Sequence, residues 1–195
     1  MKSITAFIAL LLTAAGAPAQ FEKDDWELGM TIAAGSYSET SKSNYDEYYN
    51  NANYAAVALM PGYYVTNGFS LEPEFSFYTM EYSDPTFQLS GNLSYTGWIP
   101  GQKAAWFARG GIGTGNGVPF PGMNFTLFDT EESIFILNFG AGVKAPISQS
   151  VALRTELNYR IYQFTYHPDY NGYSGSARDH DIRDFSLRIG FSILL

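Results

Sequence analysis

From Trp26 to the end of the chain, apolar and polar residues alternate with a period of two, and runs with the period of a helix are absent. Because successive side chains of a β-strand point to opposite sides of its sheet, this alternation predicts strands with one apolar and one polar face. The last segment shows the pattern best. Ser, Arg or Gly stands between most of its large apolar residues, which are Phe185, Leu187, Ile189, Phe191, Ile193 and Leu195. The sequence is therefore that of an all-β protein.

The same alternation divides the chain into eight predicted strands, at residues 26–37, 54–65, 69–80, 87–98, 104–115, 134–145, 151–162 and 185–195. Their connections alternate in length, with short turns at residues 66–68, 99–103 and 146–150 and long polar loops at residues 38–53, 81–86, 116–133 and 163–184. An even number of alternating strands, joined by short turns on one side and long loops on the other, is typical of a closed antiparallel up-and-down barrel in an outer membrane.

A soluble sandwich or a lipocalin-like barrel alternates in the same way, but it turns its apolar residues inward and its charges outward. Three features favour the inverted, membrane arrangement. The polar face is rich in Gly, Ser and Asn, and Lys is scarce within the predicted strands. Trp26, Trp98 and Trp106 all fall at the short-turn end, where an interfacial aromatic girdle would place them. A second group of aromatic residues is predicted to mark the opposite rim: Tyr37, Tyr54, Tyr78, Phe87 and Tyr162.

In that orientation the charged residues of the strands face the lumen, where they avoid the cost of a charge in lipid. They are Glu27, Glu72, Glu74, Arg109, Lys144, Arg154, Glu156, Arg160 and Arg188. The third and seventh strands of an eight-stranded barrel face each other across a lumen that side chains can fill, so Glu72 or Glu74 is expected to pair with Arg154. The prediction is a lumen plugged by charge pairs, and the alternative is a narrow gated pore.

The first residues predict a secretory signal peptide. Lys2 is followed by an apolar run over residues 4–15 and by the small-residue cleavage pattern Ala17-Pro18-Ala19. The apolar run is shorter than a transmembrane helix requires. We therefore assign residues 1–19 to a signal peptide and residues 20–195 to the barrel domain.

Composition excludes several function classes. The 195 residues include 11 Lys and Arg against 19 Asp and Glu, a net charge of −8, which argues against nucleic acid as a partner. With no Cys, the chain has no disulfide, no Cys-ligated zinc and no thiol nucleophile. Most of the acidic residues fall in the predicted long loops, Asp184 among them, so that the acidity is expected to belong to the extracellular side.

The remaining motifs point to no cofactor. The glycine run at residues 110–115 lacks the spacing of a dinucleotide-binding loop and precedes no helix pattern, so its expected role is steric. His167 and His180 lie in the last long loop among aspartates, where a solvated loop is the simplest interpretation. The acidic loops leave loose binding of Ca²⁺ or Mg²⁺ open, although their spacing does not fit an EF-hand. We predict no catalytic residues, no metal site and no cofactor.

Four segments resemble the OmpA/OmpX-like eight-stranded outer-membrane barrels, the outer membrane protein beta-barrel domain family: residues 60–68, 107–113, 139–144 and 153–160. The C-terminus resembles the barrel-assembly signal of that family through Arg188, Gly190, Ile193 and Leu195, although family members usually end on an aromatic residue. The resemblance implies a transmembrane barrel in the outer membrane of a Gram-negative bacterium. It also implies outer-membrane lipid and lipopolysaccharide as neighbours, and the barrel-assembly machinery as a partner during biogenesis.

These observations predict a monomeric structural or interaction barrel that presents acidic, Tyr-rich extracellular loops, with a role in adhesion or envelope integrity and no enzymatic activity. An outer-membrane enzyme that modifies lipid A, a narrow pore and a soluble periplasmic binding barrel are the alternatives. The sequence specifies no extracellular ligand.

Overall fold

The computed structural model describes residues 21–42, 47–80, 83–116, 134–166, 169–170, 173–174 and 178–195. The predicted signal peptide at residues 1–19 lies outside the described residues. Eight long strands make up the described chain, together with a hairpin of two-residue strands: β1 (Trp26–Lys42), β2 (Glu47–Thr66), β3 (Phe69–Met80), β4 (Ser83–Trp98), β5 (Ala105–Gly115), β6 (Phe135–Pro146), β7 (Val151–Tyr166), β8 (Asp169–Tyr170), β9 (Tyr173–Ser174) and β10 (Arg178–Leu194).

The long strands form one closed barrel in which each strand pairs antiparallel with its neighbours along the chain. The first and last strands close it, with a register that runs from Glu27 opposite Leu194 to Tyr37 opposite Asp184. Closure removes the unpaired sheet edges that an open sheet would present. The predicted eight-stranded antiparallel barrel is therefore confirmed.

The two faces of the wall are inverted relative to a soluble protein. Large apolar side chains point outward, and Ile112, for example, is 60% exposed and Phe77 is 57% exposed. The nine charged residues predicted for the lumen point inward and are buried. A continuous apolar exterior is unfavourable in water but matches the hydrocarbon of a bilayer. Within the described residues, no helix is long and apolar enough to cross a membrane.

Three of the predicted long loops are shorter than expected. β1 continues to Lys42 and β2 begins at Glu47, so most of the predicted loop at residues 38–53 is a two-stranded ribbon. β4 begins at Ser83, and β10 pairs with β7 from Arg178 onward. Alternation failed as a guide here because a ribbon beyond the bilayer has polar surroundings on both faces, while its backbone hydrogen bonds remain favourable. The predicted loop at residues 116–133 lies outside the described residues except for Asn116.

The turn between β2 and β3 depends on a glycine. Gly68 has φ of +82°, a conformation that residues with a side chain rarely adopt. A Cβ atom at this position would also lie 2.7 Å from the carbonyl oxygen of Thr96. Thr96 belongs to β4, and its backbone N–H donates a hydrogen bond to the Gly68 carbonyl at 2.7 Å. This hydrogen bond fixes the turn to the barrel wall.

Candidate functional site in the barrel interior

The barrel interior is lined by buried charged residues. All nine residues predicted for the lumen are buried there: Glu27, Glu72, Glu74, Arg109, Lys144, Arg154, Glu156, Arg160 and Arg188. They form layers along the barrel axis, from the short-turn end, where β4 meets β5, to the long-loop end, where β1 meets β2.

The layer nearest the short-turn end is centred on Lys144. Its Nζ atom lies 2.7 Å from Oε2 of Glu27 and also donates to the hydroxyl of Tyr64 at 3.1 Å. The Tyr64 hydroxyl in turn donates to the same Glu27 oxygen at 2.6 Å. One carboxylate oxygen thus holds both an ammonium and a phenol at this end of the interior.

The next layer is centred on Arg154 of β7. Its Nη2 atom lies 3.2 Å from Glu72 and 3.2 Å from Glu156, and its Nη1 atom lies 3.7 Å from Glu27. The guanidinium carbon stands 4.3 Å from the centre of the Phe107 ring, close enough for a cation–π contact. The expected pairing of Arg154 with a β3 carboxylate across the lumen is present, through Glu72.

Glu74 is the centre of the third layer and is shared by three arginines from three strands. Its Oε2 atom lies 2.6 Å from Nη1 of Arg109, and its Oε1 atom lies 2.8 Å from Nη1 of Arg188. Arg160 forms the third ion pair with Oε1. Arg109 also contacts Oε1 of Glu156 at 2.6 Å, which joins this layer to the one below. A single carboxylate of β3 therefore binds β5, β7 and β10 together.

The interior closes at the long-loop end with residues that the sequence analysis placed elsewhere. Asp184, assigned to a loop, is buried and accepts hydrogen bonds from the Tyr54 hydroxyl at 2.7 and 2.8 Å. Tyr54, Tyr78 and Tyr162, assigned to an outer rim, are also buried inside. Of the other two residues predicted for that rim, Phe87 is half-buried, and its ring centre lies 5.3 Å from that of the outward-facing Phe77. The side chain of Tyr37 lies outside the described residues.

The sequence carried a signal for these interior residues. Tyr78 has the parity of Glu72 and Glu74, and Tyr162 has the parity of Arg154 and Arg160, so strict alternation places both hydroxyls inside. With Asp184 included, the buried charged residues in the described part of the chain are five carboxylates and five cations. The interior is therefore balanced, because Asp184 adds a fifth carboxylate to the four predicted for the lumen.

At the short-turn end, residues 21–25 fold back under the barrel. The Phe21 ring is buried at 5.8 Å from the Tyr64 ring, and its carbonyl accepts a hydrogen bond from Gly68 at 3.0 Å. Asp24 and Asp25 exchange backbone hydrogen bonds with Tyr64 at 2.8 and 3.0 Å. Lys144 lies 5.2 Å from the centre of the Phe21 ring on the interior side. Phe21 therefore covers the charge network from below, a contact that the sequence analysis missed.

A comparison with protein families agrees with this geometry. The model of the outer membrane protein beta-barrel domain matches residues 5–192. The chain belongs to this outer-membrane barrel family. The predicted localisation in the cell outer membrane is thereby confirmed, and the short turns of the barrel face the periplasm, as in such proteins.

The chain is similar to two solved barrel structures. Neisserial surface protein A is 11% identical, with a TM-score of 0.56 over 87% of this chain and 96% of that one. The N-terminal β-barrel domain of Pseudomonas aeruginosa OprF is 12% identical, with a TM-score of 0.49 over 89% of this chain and 98% of that one. A comparison with curated proteins found no match. At this identity the likeness to the neisserial protein shows the fold alone.

The three tryptophans of this outer-membrane barrel lie at its periplasmic end with their rings outward. Trp26 contacts Tyr63 at 5.0 Å between ring centres, and Trp106 contacts Tyr95 at 5.3 Å. Trp98, which is 40% exposed, contacts Phe21 at 5.3 Å. The rings thus face outward at the end of the barrel where an interfacial girdle is expected.

The C-terminal residues that resemble a barrel-assembly signal lie on both the inner and the outer face of the barrel wall. Arg188 points inward, whereas Ile193 and Leu195 point outward, and Leu195 is 78% exposed. Gly190 stands opposite Thr31 of β1 at the closing seam.

The glycine run and one of the two histidines lie in strands of the described part of the chain. The glycine run at residues 110–115 lies within β5. His167 is outside the described residues, and His180 lies in β10 opposite Phe164. No group of His, Cys, Asp and Glu within the described residues has the geometry of a metal site.

Proposed function

We propose that this barrel is a structural and interaction protein whose interior is closed to ion flow by its charge network. The supporting observation is the sharing of carboxylates at two heights: Glu74 among three arginines, and Glu27 between Lys144 and Tyr64. A permeating ion would have to separate buried pairs, and breaking a buried pair by leaving one partner uncompensated costs about 3–5 kcal/mol. The network therefore acts as a plug.

We further propose that the extracellular end is a platform for adhesion or envelope integrity. β1, β2, β7 and β10 contain 17, 20, 16 and 17 residues. A strand crosses a bilayer in about 9–11 residues, so these strands extend beyond it. The sequence near their outer ends is acidic, as at residues 179–181, and also rich in Tyr at residues 45–49.

The proposed neighbours of the platform are outer-membrane lipid and lipopolysaccharide, and the barrel-assembly machinery is the proposed partner during insertion. A closed wall has no unpaired strand edge within the membrane, which supports a monomer. We also propose that the barrel has no enzymatic activity, so that mass spectra of lipid A are expected to be the same with and without the protein.

Planar-bilayer recording tests the plug. Purified barrel, shown to be folded by heat-modifiable gel migration, is expected to give no reproducible conductance steps. The matched comparison is the Glu74→Ala variant, which removes the shared carboxylate and is recorded only after the same test of folding. Reproducible steps from the unsubstituted protein would establish a pore and overturn the proposal.

A further inference from the structure

A groove opens at the periplasmic end of the barrel beside the aromatic girdle. Its volume is about 390 Å³, and it is lined by Phe21, Glu22, Asn67, Gly68, Tyr95, Thr96, Gly97 and Trp98. These residues come from the N-terminal segment, the β2–β3 turn and the end of β4. The groove therefore lies where the barrel passes from the membrane into the periplasm.

One wall of the groove is aromatic. Trp98 is 40% exposed and Tyr95 is 37% exposed, so each presents ring surface to the surroundings. The faces of Trp and Tyr rings attract cations, and Trp does so most strongly. This wall therefore suits a ligand that carries an ammonium group.

The other wall supplies negative charge. The hydrogen bonds of Glu22 within the described residues use its backbone: its N–H donates to Asp25 Oδ2 at 3.0 Å, and its carbonyl accepts from Asp25 at 3.3 Å. Its carboxylate is left to interact with a cation from outside the chain. Asp25 adds negative charge in the same N-terminal segment, in which Lys23 is the one base. The groove thus favours a cationic group over an anionic one.

An apolar track leads from the groove into the membrane. The Tyr95 ring packs on Phe69 at 4.6 Å, and the next outward pair along β3 and β4 is Leu71 opposite Leu93. Both leucines are exposed on the lipid face. A molecule whose ammonium lies in the groove would therefore have its apolar chains along these residues.

We propose that this groove binds the headgroup of an ethanolamine phospholipid from the periplasmic leaflet, with the ammonium between the Glu22 carboxylate and the Trp98 ring. The acyl chains lie on Leu71 and Leu93. Anionic phospholipids fit the apolar track but are repelled by Glu22.

Fluorescence quenching in vesicles tests this site. Trp26→Phe and Trp106→Phe leave Trp98 as the single emitter. The vesicles consist of phosphatidylglycerol with a minor fraction of brominated lipid, either phosphatidylethanolamine or phosphatidylglycerol. At the same fraction of brominated lipid, we expect phosphatidylethanolamine to quench Trp98 about threefold more strongly than phosphatidylglycerol does. One ion pair with a carboxylate and one cation–π contact would give a preference of this size.

Two matched variants assign the effect. Glu22→Gln is expected to abolish the preference for the ethanolamine lipid. Asp24→Asn removes the same charge two residues away and is expected to keep the preference, because the Asp24 carboxylate accepts a hydrogen bond from Tyr63 at 2.6 Å. Equal quenching by the two lipids overturns the proposal, as does a preference that survives Glu22→Gln or disappears equally in both variants. Native mass spectrometry of the unsubstituted barrel with the two lipids gives the same comparison without replacing tryptophans.

Discussion

The Tyr54 hydroxyl on β2 reaches over β1 to donate hydrogen bonds to both carboxylate oxygens of Asp184 on β10, at 2.7 and 2.8 Å. The ring passes above Gly35 of β1, where a Cβ atom would lie 2.4 Å from it. β1 is the strand that closes the barrel against β10. The contact therefore fastens the seam of the barrel from the inside.

Tyr54→Phe is expected to weaken this seam. The buried Asp184 would lose its hydrogen-bond donor, which costs about 1–3 kcal/mol. Urea unfolding in lipid vesicles measures the change. The control is Tyr63→Phe, which removes a hydrogen bond to Asp24 at the exposed periplasmic end and is expected to cost less than about 1 kcal/mol. Equal losses of unfolding free energy in the two variants would show that the seam contact stabilises the barrel no more than an exposed hydrogen bond does.

Glu74→Gln is expected to be among the most destabilising substitutions in the interior. Three buried arginines would lose their shared negative charge, at about 3–5 kcal/mol. The same unfolding measurement applies, with Glu156→Gln as the comparison, because Glu156 contacts two arginines and not three. A smaller loss for Glu74 than for Glu156 would contradict the central position of Glu74 in the network.

Phe21→Ala is expected to loosen the periplasmic end without affecting the rest of the wall. Hydrogen exchange should accelerate at the amide of Gly68, which donates to the Phe21 carbonyl, and at the amide of Asp24, which donates to the Tyr64 carbonyl. The amides of β5 and β6 should keep their protection. Lys23→Ala is the matched control, since its side chain is exposed. Unchanged exchange at Gly68 in the Phe21 variant would mean that the backbone hydrogen bonds alone hold the segment.

Ile112→Arg is expected to impair insertion, because Ile112 faces the lipid near the middle of β5. An arginine at mid-depth costs about 2–4 kcal/mol, and the cost falls toward the interfaces. Thr114→Arg, on the same face but nearer the strand end, should therefore cost less. Folding into vesicles, followed by heat-modifiable migration, orders the two variants, and the reverse order would contradict the assigned depth.

The sequence predicted the inner face of the barrel where charges share a parity, as Glu72 and Glu74 do on β3. That rule is physical: one face must avoid charge because it meets hydrocarbon. It failed at the strand ends. Asp184 was assigned to a loop because charged and polar residues precede it, and only its pairing opposite Tyr37 and Arg160 reveals that it belongs to the wall.

The burial of Phe21 could not be predicted from the alternation of apolar and polar residues. It precedes the first strand, and its burial follows from a contact with Tyr64, which lies far away in the sequence. The partners within the charge network were likewise only partly predictable. Facing strands suggested Glu72 or Glu74 as the partner of Arg154, and the pair forms through Glu72. The sharing of Glu74 among three arginines depends on side-chain lengths and heights that a strand pattern does not contain.

The distribution of interior charge along the chain also bears on how the barrel can be made. Among the described residues, β1 to β3 bury three carboxylates and no base, whereas β5 to β10 bury five bases against two carboxylates. The inner face of the first half alone would carry only negative charge, and that of the second half would carry an excess of positive charge. Each half of the wall therefore depends on the other for the neutralisation of its inner face.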